Sequence, residues 1–507
     1  MRPGHVRAAS VATLAATLAN GRVRGDARTP VTGITYDSRQ VQPGDLFAAL
    51  VGADVDGHQF VDAAIRRGAT AFLVEREQPV AMPQLIVNDS RAALALVAAS
   101  FFAHPSAELG VVGITGTDGK TTTAYLADGI FRSRGYRTGM IGTIAVRVGD
   151  EVDEHETRQT TPESVDVQRY LRQMVEHKVE WAMLEATSHG LAMHRLDGIR
   201  FAIAAVTNIT HEHLDYHRSV EAYRRAKAIL FERTAGPAII NLDDPGACSV
   251  IDSVANGPIL RYSLGGRSAE LSVSGLVSDG TGSRFDLNTT DWGSARFTLP
   301  LIGQFNVANA LCAAGIALAA GISLPDIARA LASPPVIPGR MQAIVRGQPF
   351  GVVVDYAHTP DSLTKVLTLL RSLYPGGKLL TVFGSAGERD VEKRDLQGAV
   401  AATLADFSVF TSEDPRYEDP DAIIDAIASG AMRAGGREGV AFVRVTDRRD
   451  AIQLALARAR PGDCVLLAGK GHEGSIIWGR EKVPWHEAGV ATALLTAMGY
   501  TTEPGDG

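Results

Sequence analysis

A glycine-rich loop followed by a lysine and two threonines is the strongest chemical signal in the sequence. It reads Gly116-Thr117-Asp118-Gly119-Lys120-Thr121-Thr122 and directly follows the apolar run 111–115. Glycines let backbone N–H groups approach phosphate oxygens, and the N-terminus of a following helix adds a favourable dipole. Lys120 can reach the outer phosphates of a nucleotide, and the Thr121 hydroxyl can bind Mg²⁺. The pattern predicts a nucleoside-triphosphate site in the short G-x-x-G-K-T form.

Polar clusters also follow two predicted strands in the middle third of the sequence. Segment 185–191 begins where the strand 181–185 ends, and segment 208–217 follows the strand 202–207. Because the carboxyl ends of parallel strands meet at one edge of a sheet, we expect both clusters beside the phosphate loop. His211, His213 and His217 raise a zinc alternative, but a phosphate loop favours Mg²⁺ with oxygen ligands. Asp118 either helps to hold that metal or points away from the phosphates.

Four more polar motifs in the last third each follow a predicted strand. They are the segments 355–361, 384–390, 412–416 and 469–473. Ordinary surface loops would place polar residues at both ends of strands alike, whereas these four open onto one edge of one sheet. The pattern predicts a second binding edge, separate in sequence from the phosphate loop.

Loops that meet at one edge must be connected to parallel strands, and the hydrophobic periodicity of the sequence predicts such strands. The predicted strands of the last third are 352–354, 379–383, 407–410, 441–445 and 465–467, alternating with helical stretches such as 362–373 and 422–433. In the middle third, the run 238–241 adds a further strand. Alternating strands and helices indicate right-handed βαβ units and therefore an α/β fold with parallel sheets.

Chain length and turn-rich breaks predict three domains. The chain has 507 residues, and domains average about 150 residues. Breaks near 104–106 and 333–339, the second with three prolines, divide it. We expect a mixed α/β N-terminal domain over residues 1–108, a central ATPase-like α/β domain over 109–340 and a Rossmann-like domain over 341–507.

Composition excludes several classes of protein. Net charge is −7, with 45% hydrophobic and 21% charged residues and no basic block, which disfavours nucleic-acid binding and disorder. No apolar stretch approaches the length of a membrane span, so no membrane insertion is expected. The three cysteines share no short spacing and indicate buried thiols rather than a disulfide framework or zinc site. Since the N-terminus lacks a secretory signal pattern, we expect a cytoplasmic protein.

Together the motifs resemble the Mur ligases of peptidoglycan synthesis, and the resemblance covers nearly the whole chain. Within that family they are most similar to the group that adds the third residue of the stem peptide. The segments that carry the resemblance are Tyr36-Asp37-Ser38-Arg39, Gly44-Asp45-Leu46-Phe47, the phosphate loop, Thr160-Thr161-Pro162, 185–195, 213–217 with Lys227, 303–309, Pro338-Gly339-Arg340-Met341 and the four C-terminal motifs.

The resemblance implies an ATP-dependent amide ligase. A substrate carboxylate would attack the γ-phosphate, and an amino group would then attack the acyl phosphate and release phosphate. The implied substrates are UDP-MurNAc-L-Ala-D-Glu, ATP and a diamino acid, with Mg²⁺ as cofactor and a monomer as the working form. Such chemistry needs charge neutralisation and positioning more than a strong acid or base.

Family roles transferred by position give the expected site residues. The catalytic group is Lys120, Lys227, His213 and Glu185, and the metal ligands are Thr121, Glu185, His213 and Lys227 as a CO₂-derived carbamate. The ATP contacts are residues 116–122 with Asn306 and Asn309 near the adenine. Ser38, Thr160, Thr161, Thr187 and Arg195 would hold the UDP-MurNAc-dipeptide, and Arg389, Asp414, Arg416, Gly469 and Glu473 the incoming amino acid.

One departure from the family pattern leaves the amino acid open. Relatives that add meso-diaminopimelate carry Asp-Asn-Pro-Arg where this sequence has Glu413-Asp414-Pro415-Arg416. Arg416 favours a second carboxylate on the substrate, whereas Asp414, Glu413 and Glu473 favour a bare ammonium, so meso-diaminopimelate and L-lysine or L-ornithine remain alternatives. The alternatives in class are a D-Ala-D-Ala-adding Mur ligase and a noncatalytic ATP-dependent switch.

Overall fold

Three main sheets organise the chain, and helices pack on their faces. The computed structural model describes residues 8–52, 55–153, 159–210, 214–255, 257–279 and 282–501. The described residues up to Pro334 form one unit, except for Ser278–Ser283 and Leu301–Gly303, which belong to a second unit with the residues from Pro335 onward. Within the described ranges, no helix has the length and apolar character that a bilayer crossing requires.

The N-terminal part of the first unit contains a five-stranded sheet with the order β2-β7-β6-β5-β4. Its elements are β1 (Ala9–Ser10), α1 (Val11–Ala15), β2 (Arg22–Arg24), β3 (Pro30–Val31), β4 (Gly33–Thr35), β5 (Asp45–Ala48), α2 (Val61–Arg66), β6 (Ala71–Val74), β7 (Gln84–Ile86) and α3 (Ser90–Phe101). Strands β4 to β7 are parallel. The Asp89 side chain caps α3 by accepting from the N–H groups of Arg91 and Ala92, which fixes where that helix begins.

The rest of the first unit is built on an eleven-stranded sheet, ordered β11-β10-β9-β12-β8-β13-β14-β15-β16-β17-β18. Its elements are β8 (Gly110–Thr115), α4 (Lys120–Ser133), β9 (Thr138–Ile141), β10 (Val146–Val148), β11 (Glu151–Asp153), α5 (Ser164–Glu176), β12 (Trp181–Glu185), α6 (Ser188–Ala192), β13 (Ile203–Val206), α7 (Leu214–His217), α8 (Val220–Glu232), β14 (Ala238–Asn241), α9 (Pro245–Cys248), β15 (Ile259–Ser263), β16 (Leu271–Asp279), β17 (Gly282–Thr289), β18 (Ser294–Leu299), α10 (Gln304–Ala319) and α11 (Leu324–Leu331). Strands β9, β12, β8, β13, β14, β15 and β16 run parallel.

The second unit contains a six-stranded sheet, ordered β19-β20-β24-β21-β22-β23, in which only β19 is antiparallel. Its elements are β19 (Gln342–Ala343), β20 (Gly351–Asp355), α12 (Pro360–Leu373), β21 (Leu379–Phe383), α13 (Glu392–Leu404), β22 (Phe407–Phe410), α14 (Pro420–Arg433), β23 (Phe442–Arg444), α15 (Arg448–Arg458), β24 (Cys464–Ala468), β25 (Ser475–Trp478), β26 (Glu481–Pro484) and α16 (Glu487–Ala497). Its central strands are fully buried because helices cover both faces.

The predicted α/β class is confirmed, and the parallel strands stand where the hydrophobic runs indicate. Strands β12, β14, β21 and β22 have the predicted bounds, and β13, β20, β23 and β24 differ from them by a residue or two. The long strands β16 to β18 and the hairpin β25–β26 were not predicted, since they have exposed faces and lack a continuous apolar run. Cys248, Cys312 and Cys464 are free thiols, as predicted, and Cys312 and Cys464 are buried, whereas Cys248 is only half-buried.

Candidate active site

The phosphate loop connects β8 to α4 and depends on two glycines. Gly116 and Gly119 have φ angles of +149° and +84°. A Cβ atom on Gly119 would lie 2.3 Å from Asn309 Oδ1, and one on Gly116 would lie 1.9 Å from Thr207 Oγ1. Both positions therefore require glycine on grounds of backbone conformation and space.

The end of the neighbouring strand β13 holds the loop in place. Thr117 N–H donates to the Asn208 carbonyl at 2.7 Å, and Asp118 N–H donates to Asn208 Oδ1 at 2.9 Å. Thr207 Oγ1 donates to the Asp118 carbonyl at 2.5 Å. Asp118 is exposed, but hydrogen bonds hold both its N–H and its carbonyl. Asn208 therefore helps to pre-organise the loop, although it is not among the predicted site residues.

Two lysines converge on one backbone carbonyl of the loop. Lys120 Nζ donates to the Gly116 carbonyl at 2.9 Å and to the Thr117 carbonyl at 2.8 Å. Lys227, on α8, donates to the same Gly116 carbonyl at 2.7 Å and is 1% exposed. Its Nζ also lies 4.5 Å from the centre of the Tyr223 ring, whose hydroxyl is 3.0 Å from Thr117 Oγ1. The structure thus brings together the two lysines that the sequence predicted.

Glu185, at the end of β12, is a fully buried carboxylate held by three donors. Its Oε1 accepts from Thr143 N–H at 2.9 Å, and its Oε2 accepts from the hydroxyls of Thr143 and Thr121, each at 2.9 Å. Gly142 leaves room for this carboxylate, because a Cβ there would lie 2.3 Å from Oε1. A carboxylate beside a hydroxyl is a hard oxygen donor set that fits Mg²⁺ with nucleotide phosphates as further ligands.

The histidines that raised a zinc alternative do not form a described metal site. His211 and the predicted ligand His213 lie outside the described residues. His217 is buried in an aromatic cluster with Tyr216, Tyr223 and His189. Over the described part of the chain, no group of three or more His, Cys, Asp or Glu side chains could hold a metal ion. The described donors therefore fit Mg²⁺ better than zinc.

The threonines predicted to contact the sugar-dipeptide form a hydroxyl chain beside Glu185. Thr160 Oγ1 lies 3.1 Å from Thr143 Oγ1, and Thr161 Oγ1 lies 2.9 Å from Thr187 Oγ1 and donates to the Glu185 carbonyl at 2.8 Å. Arg195 Nη1 donates to the Thr161 carbonyl at 2.9 Å. The metal-binding and substrate-binding predictions thus meet at one sheet edge.

Ser38 and the paired asparagines occupy two other places in the first unit. Ser38 follows β4 and is half-buried. Two residues earlier, Tyr36 donates its hydroxyl to Asp166 in α5 at 2.8 Å, and burial raises the pKa of Tyr36 well above its usual value. Asn306 and Asn309 are buried on α10, with Asn309 Nδ2 3.4 Å from Asn306 Oδ1. Asn309 is the residue against which Gly119 packs, which places α10 beside the phosphate loop.

In the second unit, the four polar motifs follow β20, β24, β21 and β22, four consecutive parallel strands. Two of these motifs, 412–416 and 469–473, are joined by a lysine to which the sequence assigned no role. Lys470 is fully buried, and its Nζ donates to Asp414 Oδ1 at 2.8 Å and to Glu473 Oε2 at 2.5 Å. Asp414 Oδ1 also accepts from Ile477 N–H at 3.0 Å. Two predicted amino-acid contacts are therefore bridged by one ammonium group.

The remaining predicted contacts lie in the loops that follow β21, β22 and β24. Arg389 is exposed in the loop after β21, and Arg416 is half-buried with a left-handed φ of +54°. Gly469 has a φ of +95°, and a Cβ there would lie 2.7 Å from Glu413 Oε2. Burial raises the pKa of Glu413 to about 7, although Lys393, Lys470 and Arg448 oppose the shift. The edge therefore offers cations to a substrate, with the nearby carboxylates either paired or partly neutral at pH 7.

The sequence assigned no site role to Thr143, Tyr223, Asn208 and Lys470, although Asn208 and Lys470 lie inside predicted motifs. Thr143 and Asn208 follow strands at the same edge as the phosphate loop, so strand-end position was an available signal. Lys470 lies inside a predicted motif, but its partner Asp414 is 56 positions away, and only the folded sheet brings the two together.

Comparison with known proteins adds three family matches and several similar chains. The chain matches "Mur ligase family, catalytic domain" at residues 30–102, "Mur ligase middle domain" at 114–317 and "Mur ligase, glutamate ligase domain" at 339–471. It is 44% identical to a UDP-N-acetylmuramyl-tripeptide synthetase of Roseiflexus sp. (strain RS-1), over 93% of this chain and 95% of that protein. It is 40% identical to a UDP-N-acetylmuramoyl-L-alanyl-D-glutamate--2,6-diaminopimelate ligase of Bacillus licheniformis, over 92% and 95%.

Solved structures give the same picture. A UDP-N-acetylmuramoyl-L-alanyl-D-glutamate--2,6-diaminopimelate ligase is 31% identical, with a TM-score of 0.70 and coverage of 97% of this chain and 100% of that chain. A MurF ligase from Thermotoga maritima in complex with ADP shares the fold at 18% identity, with a TM-score of 0.59 and coverage of 92% and 96%.

Proposed function

The chain belongs to the Mur ligase family, and we propose that it joins a diamino acid to UDP-MurNAc-L-Ala-D-Glu with hydrolysis of ATP, as a step of peptidoglycan synthesis. The observation that carries this proposal is the phosphate loop beside the Thr121–Glu185 oxygen pair, because it supplies sites for both the nucleotide and its metal at one sheet edge. The similarity to tripeptide synthetases over more than nine tenths of the chain supports the choice of substrate.

The reaction would run through an acyl phosphate. The D-glutamyl carboxylate of the substrate attacks the γ-phosphate of ATP, which releases ADP and leaves a mixed anhydride. The amine of the incoming amino acid then attacks the carbonyl, the C–N bond forms and phosphate leaves. Lys120 would exchange the Gly116 and Thr117 carbonyls for phosphate oxygens, and the threonine hydroxyls would orient the carboxylate.

A bound Mg²⁺ would neutralise phosphate charge as it develops. Thr121 and Glu185 are the described residues that would hold it, and both already point at one another across 2.9 Å. His213 remains a proposed ligand outside the described residues.

We further propose that Lys227 carries the carbamate. A free ammonium at this buried position shares the Gly116 carbonyl with Lys120, so two positive charges lie close together. The ammonium first loses a proton, and the lone pair of the resulting amine then attacks CO₂ to give NH–COO⁻ with loss of a second proton. The product keeps one N–H, which still donates to the Gly116 carbonyl, and adds two carboxylate oxygens for metal. The alternative is a structural lysine held by that carbonyl and the Tyr223 ring.

For the amino acid, we propose meso-diaminopimelate. The carboxylate of Asp414 would disfavour a second substrate carboxylate only if its charge were uncompensated, and Lys470 pairs with both Asp414 and Glu473. Arg389 and Arg416 then leave the pocket with excess positive charge, which suits an amino acid with two carboxylates. Glu413, if ionised, would favour lysine or ornithine instead.

Phosphate release is the deciding assay. We expect turnover that requires ATP, Mg²⁺, UDP-MurNAc-L-Ala-D-Glu and meso-diaminopimelate together, with lysine and ornithine tested in parallel. The D-Ala-D-Ala dipeptide with the tripeptide substrate tests the alternative Mur ligase. ATP binding without any turnover that depends on the UDP-sugar would instead identify a noncatalytic switch and overturn the proposal.

A further inference from the structure

Arg448, the first residue of α15, is a fully buried cation that the proposed reaction does not use. It is 2% exposed, and its guanidinium makes three kinds of contact. It pairs with Glu487 at 2.6 Å, donates from Nη1 to the Ser412 carbonyl at 3.1 Å, and donates from Nη2 to the Ala468 carbonyl at 2.8 Å.

The Ser412 carbonyl lies in one of the loops that carry the proposed amino-acid contacts, and the Ala468 carbonyl lies at the end of β24, directly before another. Ser412 precedes Glu413 and Asp414, and Ala468 precedes Gly469. These loops follow β22 and β24, which are not neighbours, because β21 lies between them in the sheet. The ladder hydrogen bonds of the sheet therefore do not join the two loops directly, whereas Arg448 does.

Its surroundings hold the guanidinium in one orientation. Glu487, at the start of α16, is 1% exposed and accepts from Arg448 Nε at 3.0 Å as well as from Nη2. Trp485 Nε1 donates to Glu487 Oε2 at 2.6 Å. Ser412 Oγ donates to the Thr446 carbonyl at 2.7 Å, which ties the first loop to the turn before α15.

Stability alone does not account for this arrangement. A buried ion pair gains little over apolar residues of similar size, because both charges lose their hydration. A cation in the first turn of a helix also opposes the helix dipole. The planar guanidinium instead holds the Glu487 carboxylate from two nitrogens and donates to two carbonyls, four hydrogen bonds in all, whereas a lysine has only three donors on a flexible stem.

We propose that Arg448 is a positioning residue for the amino-acid pocket, locking the loops after β22 and β24 at a fixed separation so that Lys470 meets Asp414. The inference rests on the proposed function for the identity of the ligand, but the link between the loops can be tested without it. Glu487 and Trp485 act through Arg448 rather than on the substrate.

The test compares Arg448→Lys and the double variant Arg448→Met/Glu487→Leu with wild type. The double variant removes both charges and leaves no unpaired ion. Arg444→Met is the matched control, since Arg444 makes exposed ion pairs with Glu438 and Asp425 in the same unit. We expect KM for the amino acid to rise about tenfold in both Arg448 variants, with KM for ATP and for the UDP-sugar within about twofold of wild type and no change in the control.

Hydrogen exchange gives a readout independent of turnover. Amides of the segments 412–416 and 469–473 should exchange at least about fivefold faster in Arg448→Lys than in wild type or Arg444→Met. Unchanged exchange in both segments, or a uniform rise of all three KM values, overturns the positioning role. If the double variant does not fold, Arg448→Lys alone decides, since it keeps the charge opposite Glu487. Wild-type protein that lacks amino-acid-dependent turnover contradicts the proposed function, while faster exchange in the two loops still supports the inference.

Discussion

Lys120 and Lys227 donate hydrogen bonds to the same acceptor, the main-chain carbonyl of Gly116, at 2.9 and 2.7 Å. One lysine comes from the start of α4 and the other from the buried face of α8. Two ammonium groups on one carbonyl are a charge conflict that nucleotide phosphates and carbamate formation would both relieve. The loop is thus arranged to accept anions from two directions.

Replacement of Lys227 tests the carbamate. We expect Lys227→Ala to lower kcat at least about a hundredfold, because the variant loses both a metal ligand and charge neutralisation. Formate or acetate should restore part of the activity, as short carboxylates can occupy the vacated space. Lys365→Ala, on the surface of α12, is the control and should match wild type. Near-normal turnover by Lys227→Ala without added carboxylate would show that the lysine is structural.

Thr143 should determine how much Mg²⁺ is needed for half-maximal activity. Thr143→Val removes the hydroxyl that donates to Glu185 Oε2 but keeps the backbone N–H donor to Oε1. With one donor gone, the carboxylate is less well oriented toward metal, and we expect the Mg²⁺ concentration for half-maximal phosphate release to rise about three- to tenfold. Thr143→Ser keeps the hydroxyl and should behave as wild type. Equal metal dependence of the Val and Ser variants would remove Thr143 from the site.

Alanine variants of Gly119 and Gly135, which have the same φ, can distinguish an effect of backbone strain from an effect on nucleotide binding. Gly119 and Gly135 both have φ +84°, but a Cβ on Gly135 meets nothing within 4 Å, whereas one on Gly119 would lie 2.3 Å from Asn309 Oδ1. Alanine at Gly135 should cost about 1 kcal/mol of stability, and alanine at Gly119 should cost more, because the Asn309 side chain must also shift. Only Gly119→Ala should also raise KM for ATP, by about tenfold or more. Comparable KM values for the two variants would mean that the loop adjusts around the new methyl group.

Glu413 should make the stability of the second unit depend on pH. Burial raises the pKa of Glu413 from its ordinary 4.5 to about 7, so folding takes up a proton between these pH values. Wild-type stability therefore falls as pH rises through this window, by about 3 kcal/mol at most, and the loss is complete above pH 7. Glu413→Gln cannot titrate. Its urea midpoint relative to wild type should be higher at pH 8 than at pH 4.5, and a pH-independent difference would contradict the shift.

The sequence predicted the phosphate loop, Glu185 and the four strand-end motifs because each depends on local order along the chain: an apolar run, then glycine or a polar cluster. Strands β12 and β22 illustrate this, since their bounds are those of the hydrophobic runs. The contacts Arg448–Glu487 and Lys470–Asp414 join residues 39 and 56 positions apart, and no periodicity reports such pairs. The charge balance in the amino-acid pocket cannot be predicted for that reason, because the sequence alone does not show that Lys470 pairs with Asp414.

Lys470 gives the sharpest test of amino-acid choice. In wild type its ammonium offsets Asp414 and Glu473, so its removal leaves one buried and one half-buried carboxylate uncompensated. We expect Lys470→Met to lower kcat/KM for meso-diaminopimelate relative to lysine by at least about tenfold, because the second substrate carboxylate then meets like charge. Asp414→Asn should move the same ratio the other way, by no more than about threefold, since the asparagine oxygen can still accept from Lys470 while the pocket loses one negative charge. Measuring both ratios with phosphate release distinguishes charge compensation from simple loss of packing, which would depress both amino acids alike. If both variants keep the wild-type ratio of kcat/KM values, Asp414 and Lys470 do not contact the side-chain terminus of the substrate. Arg416 would then be the residue that binds it.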